Sequence, residues 1–326
     1  MARLSPAERL VRDLDWNLLR VFLAIAEAGS ITGAAALLSL KQPSVSSALK
    51  RLEARLGATL VERRPGHFRL TPAGERLRVE AEEVRAAVLR LSDAVTEVEG
   101  QASGPVTIAM ASHVISPHFD RVIAGFHRDH PAATFDIEVI ASRTAIGAVQ
   151  ARKASFAVCL VSALPPGLEA EVLYRESFGL FCGPTHPLFG QRGVKLGDLA
   201  GLPSVSFRTD RVGDALQPVT EMRRAAQLDD RVVGTSVNLE EVRWMIWVGM
   251  GIGPLPLHIA AEDVAEGRLW RLPPYSDPPA IEVFLVWNPK QRLNSAEAEL
   301  LARLRSEIAQ TPADERAYDD ATDAGS

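Results

Sequence analysis

The sequence predicts a multi-domain protein in which a small helical domain is followed by a long linker helix and a two-lobed α/β domain. Its 326 residues suffice for about two or three domains of ordinary size. Apolar residues recur at helical spacing through the first hundred residues, whereas strand-like and helical runs alternate after Gly104. The composition, 47% hydrophobic and 24% charged, is typical of a soluble globular protein, and no apolar run is long enough to span a bilayer.

The N-terminal extension, residues 1–13, carries charges throughout and lacks the apolar core of a secretory signal. We therefore expect a cytoplasmic protein with no membrane partner. The two cysteines, Cys159 and Cys182, are too few for a disulfide framework and have no metal-ligand spacing, which fits a reducing compartment. We expect neither a metal nor a cofactor.

Charge is distributed unevenly along the chain. Residues 1–78 contain 13 Lys or Arg and seven Asp or Glu, a net charge of +6, and the remainder has 23 basic against 34 acidic residues, a net charge of −11. This asymmetry indicates that the N-terminal part contacts a polyanion and that the rest has another task.

Residues 14–71 show a compact helical pattern. A first amphipathic helix ends near Gly29, Ser30 caps a second helix over residues 31–38, and a third begins at about Gln42 and stops at Gly57. Residues 60–70 alternate basic and apolar side chains around Pro65 and Gly66, as a small hairpin does.

Residues 72–100 predict one long helix, because Pro72 suits a helix start and no breaker follows Gly74 until Gly100. Its apolar residues are spaced alternately four and three apart, which is a heptad seam for a partner helix. The predicted dimerisation residues are Leu77, Ala81, Val84, Val88, Leu91 and Val95. The alternative is a helix that packs on its own domain.

The region 104–310 alternates strands and helices, which implies a mainly parallel sheet with helices on both faces. Predicted strands cover residues 106–110, 134–140, 156–161, 178–182, 204–207, 231–235 and 281–287, and predicted helices cover residues 114–130, 143–152, 212–226, 238–249 and 295–308. We expect lobe I at about 104–175 and 280–310, and lobe II at about 176–279. The acidic tail, 311–326, is predicted to be disordered.

The second and third helices have the arrangement that places a helix in the major groove of DNA. The third helix is expected to bury Val45, Leu49, Leu52 and Leu56, which leaves short polar and basic side chains outward. Gln42 can pair with an adenine edge. Side chains that would meet phosphates are Lys50, Arg51, Arg55, Arg63, Arg64 and Arg69.

These motifs resemble the winged helix-turn-helix of LysR-type transcriptional regulators. The resemblance is carried by residues 18–22, 29–32, 34–35, 42–46, 52–53, 56–57 and 70–74. It implies an all-α winged helix-turn-helix N-terminal domain over 14–71, a dimerisation linker helix over 72–100, and a periplasmic-binding-protein-like effector-binding domain over 104–310. The implied DNA-binding residues are Thr32, Gln42, Pro43, Ser44, Ser46, Ser47, Lys50, Arg51, Arg63, Arg64 and Arg69. Gly33 departs from the family pattern, which commonly has a basic or polar residue there.

A two-lobed α/β domain binds ligands in the cleft at the carboxyl ends of its strands, where helix N-termini expose N–H groups. Serine hydroxyls, free amides and an arginine in such a cleft suit a small organic anion. The candidate effector-binding residues are Ser112, His113, Arg143, Thr144, Ser206, Phe207, Arg208 and Asn238. Trp244 and Trp247 are interpreted as core or lobe-interface residues rather than as a ligand cage.

Taken together, these features predict a transcriptional regulator that is not an enzyme and that a small-molecule effector controls. The expected partners are double-stranded DNA with a roughly palindromic operator, further copies of the chain as a homodimer or homotetramer, and RNA polymerase if the protein is an activator. The alternative is an enzyme or a solute-binding α/β domain with a DNA-binding appendage. The glycines at residues 249–253 follow a helix and lack the dinucleotide fingerprint, so they are interpreted as a helix stop and turn.

Overall fold

The computed structural model describes residues 15–64, 67–96, 101–112, 114–208 and 215–318. The chain divides into two compact units, Met1–Thr96 and Glu97–Ser326. In the part of the chain that is described, no single helix is long and apolar enough to cross a membrane, and only Asn17–Ala28 and Ile31–Leu37 together, bent by 116°, meet those criteria.

The first unit contains the three predicted helices, the hairpin and the long helix. In chain order these are α1 (Asn17–Ala28), α2 (Ile31–Leu37), α3 (Gln42–Leu56), β1 (Val61–Arg64), β2 (His67–Leu70) and α4 (Pro72–Thr96). Gly29 ends α1 at a φ of 60°, and Ser30 Oγ accepts a hydrogen bond from Gly33 N at 3.0 Å to cap α2. The local signals in the sequence therefore set these boundaries.

Two polar side chains connect the hairpin and the long helix to α3 and to the segment that follows it. Glu53 Oε1 accepts a hydrogen bond from Leu60 N at 2.8 Å, which fixes the start of β1 against the end of α3. Thr71 Oγ1 donates to Thr59 O at 2.7 Å and accepts from Gly74 N at 3.0 Å, which caps α4. Both contacts hold the hairpin beside the helix whose outer face is predicted to read DNA.

The second unit is a two-lobed α/β domain. Its elements are β3 (Gly104–Met110), α5 (Pro117–Asp129), β4 (Ala133–Val139), α6 (Ser142–Gln150), β5 (Phe156–Leu160), β6 (Glu169–Cys182), β7 (Ser204–Phe207), α7 (Gln217–Ala225), β8 (Val232–Ser236), α8 (Leu239–Trp247), β9 (Gly253–Pro256), α9 (Leu257–Ala265), β10 (Trp270–Leu272), β11 (Ala280–Trp287), α10 (Ser295–Gln310) and β12 (Ala317–Tyr318). The sequence did not predict β9, α9, β10 or β12.

Lobe I is a sheet whose strand β5 is covered on both faces, whereas its edge strand β4 is largely exposed. Strand β3 lies between β4 and β5 and is parallel to both, and β11 adds to β5 in the antiparallel sense. Every residue of β5 is buried: Phe156 and Val158 pack in the large core, whereas Ala157 and Cys159 pack on the opposite side. A strand with two covered faces reads as a continuous apolar run, which is why the sequence predicted it.

The 14-residue strand β6 connects the lobes. Residues 169–177 pair with β11 in lobe I, and residues 178–182 pair with β9 and β10 in lobe II. In lobe II, β7 and β8 are parallel, and Ile252 O accepts a hydrogen bond from Val205 N at 2.8 Å, which joins this pair to the chain that enters β9. Because β6 belongs to both lobes, it is the hinge strand.

The glycine cluster at residues 249–253 forms the predicted helix stop and turn. Gly249 has a φ of 81°, and a Cβ on Gly251 would lie only 2.5 Å from Pro203 O. The cluster therefore serves close backbone packing.

The prediction of disorder for the acidic tail is wrong for residues 311–318. This segment returns to the hinge strand, and Ala317 and Tyr318 pair in parallel with Arg175 and Glu176 of β6. Residues 319–326 lie outside the described residues. Composition misled the prediction because Arg316 and Tyr318 find their partners more than a hundred residues earlier in the chain.

Candidate DNA-binding surface and ligand cleft

Helix α3 buries one narrow face and exposes the residues predicted to contact DNA. Val45, Leu49 and Leu52 are buried at spacings of four and three, in the same core cluster as Phe22 and Ile25 of α1. The exposed side chains of this surface are Thr32, Gln42, Pro43, Ser44, Ser47, Lys50 and Arg51, and Ser46 is half-buried. The candidates on α2 and α3 are thus accessible to solvent, with Ser46 only partly so.

Gly33, which departs from the family pattern, has a steric role. A Cβ at this position would lie 2.9 Å from both Ala28 Cβ and Ser30 Oγ. These atoms belong to the end of α1 and to the cap of α2. The residue therefore allows α2 to start directly after α1, and a side chain here would press on the cap.

Two of the predicted phosphate-contacting arginines form exposed ion pairs within the first unit. Arg51 Nη2 lies 3.1 Å from Asp15 Oδ2, and Arg69 Nη2 lies 2.7 Å from Glu62 Oε2. Exposed pairs of this kind contribute little to stability, about 0–1 kcal/mol. Both guanidinium groups can exchange their carboxylate for a phosphate at small cost, and until then the pairs orient them.

The hairpin predicted as the wing is a two-stranded antiparallel sheet. Arg63 pairs with Phe68 and Arg64 with His67 in its register. The side chains of Arg63 and Arg64 lie outside the described residues, so only their positions on β1 are known. Those positions are at the end of the hairpin where residues 65–66 connect the two strands, opposite the end that Glu53 and Thr71 hold.

The cleft candidate Ser112 bridges the two lobes. It lies two residues after β3, and its Oγ accepts a hydrogen bond from Leu239 N, the first residue of α8, at 2.9 Å. The same hydroxyl donates to Val237 O at 3.1 Å. One serine of lobe I therefore takes up a backbone N–H at a helix N-terminus of lobe II. His113 lies outside the described residues.

The other cleft candidates surround the carboxyl ends of the strands in different ways. Arg143 and Thr144 are exposed in the first turn of α6, and Arg208 is exposed after β7. Asn238 caps α8 by accepting from Glu240 N at 3.4 Å. Each of these four side chains can turn to a ligand without unpacking the core.

Ser206 and Phe207 are placed differently from the exposed candidates. Both are buried, and the Phe207 ring packs edge-on against Phe178 of the hinge strand at a centroid distance of 6.4 Å. Phe207 therefore belongs to the core beside the hinge. Sequence reasoning missed Ser142, whose Oγ accepts from Leu160 N at 3.2 Å and joins the carboxyl end of β5 to the start of α6.

Trp244 and Trp247 are interpreted from the sequence as core or lobe-interface residues, and the first of these alternatives is wrong. They are 53% and 48% exposed, because α8 buries Leu239, Val242, Met245 and Ile246 instead. The two rings line a surface hollow of about 430 Å³ together with Glu240, Arg243, Asp263 and Arg268. Asp263 is buried below them and bonded to both arginines, by Arg243 Nη2 at 2.9 Å and Arg268 Nε at 2.6 Å.

Comparison with known proteins agrees with the geometry of both units. Residues 16–75 match the family described as bacterial regulatory helix-turn-helix protein, lysR family, and residues 99–309 match the LysR substrate binding domain. The HTH-type transcriptional activator BauR of Pseudomonas aeruginosa is 28% identical over 299 residues, which is 89% of this chain and 94% of that protein.

Solved structures share the fold at lower identity. Full-length LysG of Corynebacterium glutamicum with bound effector Arg superposes with a TM-score of 0.58 at 22% identity, covering 91% of this chain and 99% of that one. Full-length CbnR complexed with its target DNA superposes with a TM-score of 0.60 at 20% identity, covering 91% of this chain and 99% of that one. The relatives are transcriptional regulators rather than enzymes. The chain belongs to the LysR family of bacterial regulatory helix-turn-helix proteins and is a DNA-binding transcriptional regulator with an effector-binding domain.

Proposed function

We propose that the effector is a small organic anion that binds between Ser112 and the N-terminus of α8. The observation that carries this proposal is the hydrogen bond from Leu239 N to Ser112 Oγ, 2.9 Å long, across the two lobes. A backbone N–H at a helix N-terminus favours a negative charge. A carboxylate that replaces the neutral hydroxyl there would form the stronger, charge-assisted bond.

Exposed cationic side chains support an anion over a neutral ligand. Arg143 lies in the first turn of α6, which follows β4, and Arg208 follows β7, so each stands near the carboxyl end of a strand in its lobe. A guanidinium can pair with a carboxylate through two parallel hydrogen bonds. The ligand would then connect the lobes through Ser112 and Leu239, and a change in their relative placement would reach the DNA-binding unit.

A thermal-shift screen of the full-length protein tests the ligand class. The panel consists of small mono- and dicarboxylates, amino acids, neutral metabolites and organic cations. A ligand at a hundredfold excess over its Kd stabilises the folded form by about 2.7 kcal/mol, which is readily measured. We expect only compounds that carry a carboxylate to raise the melting temperature. This shift should disappear in Arg143→Ala. It should persist in the control Arg128→Ala, which changes an exposed arginine at the end of α5. Stabilisation by cations would refute an anion site.

We further propose that the protein acts as a dimer through α4, on a roughly palindromic operator. Ala81 is 1% exposed and, with Leu77 and Val84, belongs to the core of its own unit. Val88, which lies seven residues after Ala81 on the same heptad seam, is 60% exposed. It borders an apolar groove of about 480 Å³ that Trp16, Leu19, Leu23, Leu37 and Val84 also line.

The groove fits helix α4 of a second copy of the chain. The groove is continuous with the seam, and Trp16 and Val88 together expose apolar surface that a partner helix would bury. Two-fold symmetry would present two recognition helices to DNA at a fixed spacing. A tetramer and a contact with RNA polymerase are further steps of the same proposal.

Sedimentation equilibrium of the full-length protein tests the dimer. We expect Val88→Glu to shift the population to monomers and to weaken binding to an operator with two half-sites. Arg76→Gln, on the exposed side of the same helix, changes the charge by one unit in the same direction and should leave the dimer intact. A Val88→Glu protein that remains dimeric would remove this groove from the interface.

A further inference from the structure

Residues 311–318, which we call the C-terminal strap, are bonded to the hinge strand. Arg316 is buried, and its Nη1 donates to Val172 O at 2.6 Å and to Leu173 O at 2.8 Å. In return, Arg316 O accepts from Arg175 N at 2.8 Å. The strap thereby adds a short parallel strand to β6 at the point where that strand passes from one lobe to the other.

Tyr318 at the end of the strap contacts both lobes. Its ring lies 5.2 Å from that of Tyr174 in the hinge strand and 4.9 Å from that of His258 in the first turn of α9, in lobe II. Its Oη lies 2.9 Å from Ser116 Oγ, in hydrogen-bond contact. Ser116 caps α5 in lobe I, only four residues after the cleft residue Ser112.

His258 makes a second connection between the lobes at this place. Its Nε2 lies 3.2 Å from Ile115 O. A carbonyl oxygen only accepts, so Nε2 carries the proton of this bond. Ser112 is therefore held by the start of α8, and Ile115 and Ser116 are held by His258 and Tyr318.

A buried carboxyl group belongs to the residue of the hinge strand that pairs with the end of the strap. Glu176, the partner of Tyr318 in the strand register, is fully buried, and among the described residues neither of its carboxyl oxygens has a hydrogen-bond partner. His258 Nε2 lies 4.0 Å away and directs its proton to Ile115. Burial raises the pKa of Glu176 well above its usual value and lowers the pKa of His258, so both groups favour their neutral forms.

We propose that the C-terminal strap is a conformational lock on the effector-binding domain. While Tyr318 joins Ser116, His258 and the hinge strand, the lobes keep their present arrangement and Glu176 stays out of water. Release of the strap frees the lobes to move about β6 and hydrates Glu176. The lock acts at the hinge and needs no ligand, so it stands independently of the anion proposed for the cleft.

Two truncations of the full-length protein provide a matched test. One ends after Tyr318 and keeps the strap; the other ends after Thr311 and removes it while leaving the C-cap of α10 in place. Hydrogen–deuterium exchange followed by mass spectrometry compares the two. We expect the shorter protein to exchange at least tenfold faster in β6 around Arg175, in residues 112–119 and at the start of α9, with α6 unchanged. Equal exchange in both proteins, or a uniform increase throughout the second unit, would overturn the lock.

Tyr318→Phe separates the hydroxyl from the ring. This variant keeps the packing on Tyr174 and His258 and removes the hydrogen bonds of the hydroxyl with Ser116 Oγ and with the backbone of His118, both at the start of α5. We expect faster exchange at the start of α5, where Ser116 is the cap, and unchanged exchange in β6. If the start of α5 exchanges as in the unaltered protein, then Tyr318 does not hold lobe I, and the proposed link is wrong.

Discussion

Ser112 Oγ, two residues after the first strand of lobe I, lies 2.9 Å from Leu239 N, the first residue of a helix of lobe II. This hydrogen bond joins the lobes at the cleft, whereas the hinge strand joins them through the backbone. A serine at this position can hold the lobes together without a ligand and can yield its place to one, because it contributes a hydroxyl and no charge. In the described part of the chain, the lobes are therefore connected at the cleft as well as at the hinge strand and at the contacts of His258 and Tyr318 beside it.

Ser112→Ala should weaken both the closure of the lobes and the binding of an anion. The variant loses two hydrogen bonds, to Leu239 N and Val237 O, and we expect the free energy of unfolding of the second unit to fall by about 1–3 kcal/mol, the usual range for bonds of this kind. Urea titration measures this decrease. Ser112→Thr keeps a hydroxyl and is the control; equal stability of all three proteins would show that the bond is not formed in solution.

The arginines of the hairpin should contribute to DNA affinity without regard to base sequence. Exchanging Arg63 and Arg64 for Ala removes two charges that can neutralise phosphates, so the slope of log K against log salt should become less steep by about 0.9 for each phosphate that is no longer neutralised. Fluorescence anisotropy over a range of salt concentrations gives the slope. Arg128→Ala, a change to an exposed arginine of α5 in the second unit, should leave it unchanged. An unaltered slope in the double variant would place the hairpin outside the interface.

Gln42 should determine which base the protein prefers, rather than its general affinity for DNA. It is exposed at the first residue of α3, where an amide can bond two atoms of an adenine edge. We expect Gln42→Ala to lose about 1–3 kcal/mol of discrimination at one position of each half-site, with the salt slope preserved. Selection of binding sites from a randomised DNA pool measures the preference, and an identical selected sequence would exclude Gln42 from base contact.

Gly33 and Gly147 make a paired test of helix packing. A Cβ on Gly33 would lie 2.9 Å from Ser30 Oγ and Ala28 Cβ, whereas Gly147 in α6 has no atom within 4 Å of such a Cβ. Gly33→Ala should therefore destabilise the first unit by about 1–3 kcal/mol, and Gly147→Ala should stabilise the second by about 0.5–1 kcal/mol through helix propensity. Calorimetry of the two variants checks whether Gly33→Ala lowers and Gly147→Ala raises the free energy of unfolding. A stabilised Gly33→Ala protein would contradict the close approach.

The elements that the sequence predicted correctly are those whose signals are local. Gly29, Ser30 and Gly57 end or cap their helices through atoms within four residues, so each boundary could be read from a short stretch of chain. The positions of Ser112 after β3 and of Asn238 at the start of α8 could be predicted because a strand end and a helix start are also local features.

Features set by distant contacts could not be predicted. Arg316 and Tyr318 lie in an acidic, polar tail, and only their partners in β6, residues 172–176, order the strap. The exposure of Trp244 depends on which face of α8 packs against the sheet, and a helix with apolar residues on several sides does not reveal that face. The full length of the hinge strand is likewise a property of the pairing of β6 with β9, β10 and β11.

Glu176→Gln should stabilise the second unit at neutral pH and not under mildly acidic conditions. The buried carboxyl has a pKa well above the usual 4.5. Below that usual value the group is protonated in both the folded and the unfolded chain, and the folded state bears no penalty. As the pH rises past it, the unfolded chain releases the proton and the folded chain retains it, so stability falls until the pH reaches the raised pKa. Glutamine has nearly the same shape and no proton to lose.

The comparison is made by urea unfolding at a series of pH values from about 4 to 8, a range that brackets the usual pKa values of Glu and His. Tryptophan fluorescence follows the second unit, which contains all of the tryptophans except Trp16. His258 Nε2 lies 4.0 Å from the Glu176 carboxylate, Tyr318 is the partner of Glu176 in the strand register, and burial together with the charge of Glu176 raises the pKa of Tyr174. Burial lowers the pKa of His258 and raises that of Asp120, which in turn acts on Tyr174, so both groups add their own pH dependence. Because the unaltered protein and the Glu176→Gln variant both retain these groups, the difference between their free energies of unfolding reports the contribution of Glu176. We expect the stability gain of the variant to grow as the pH rises, and parallel pH profiles would show that Glu176 is hydrated in the folded protein.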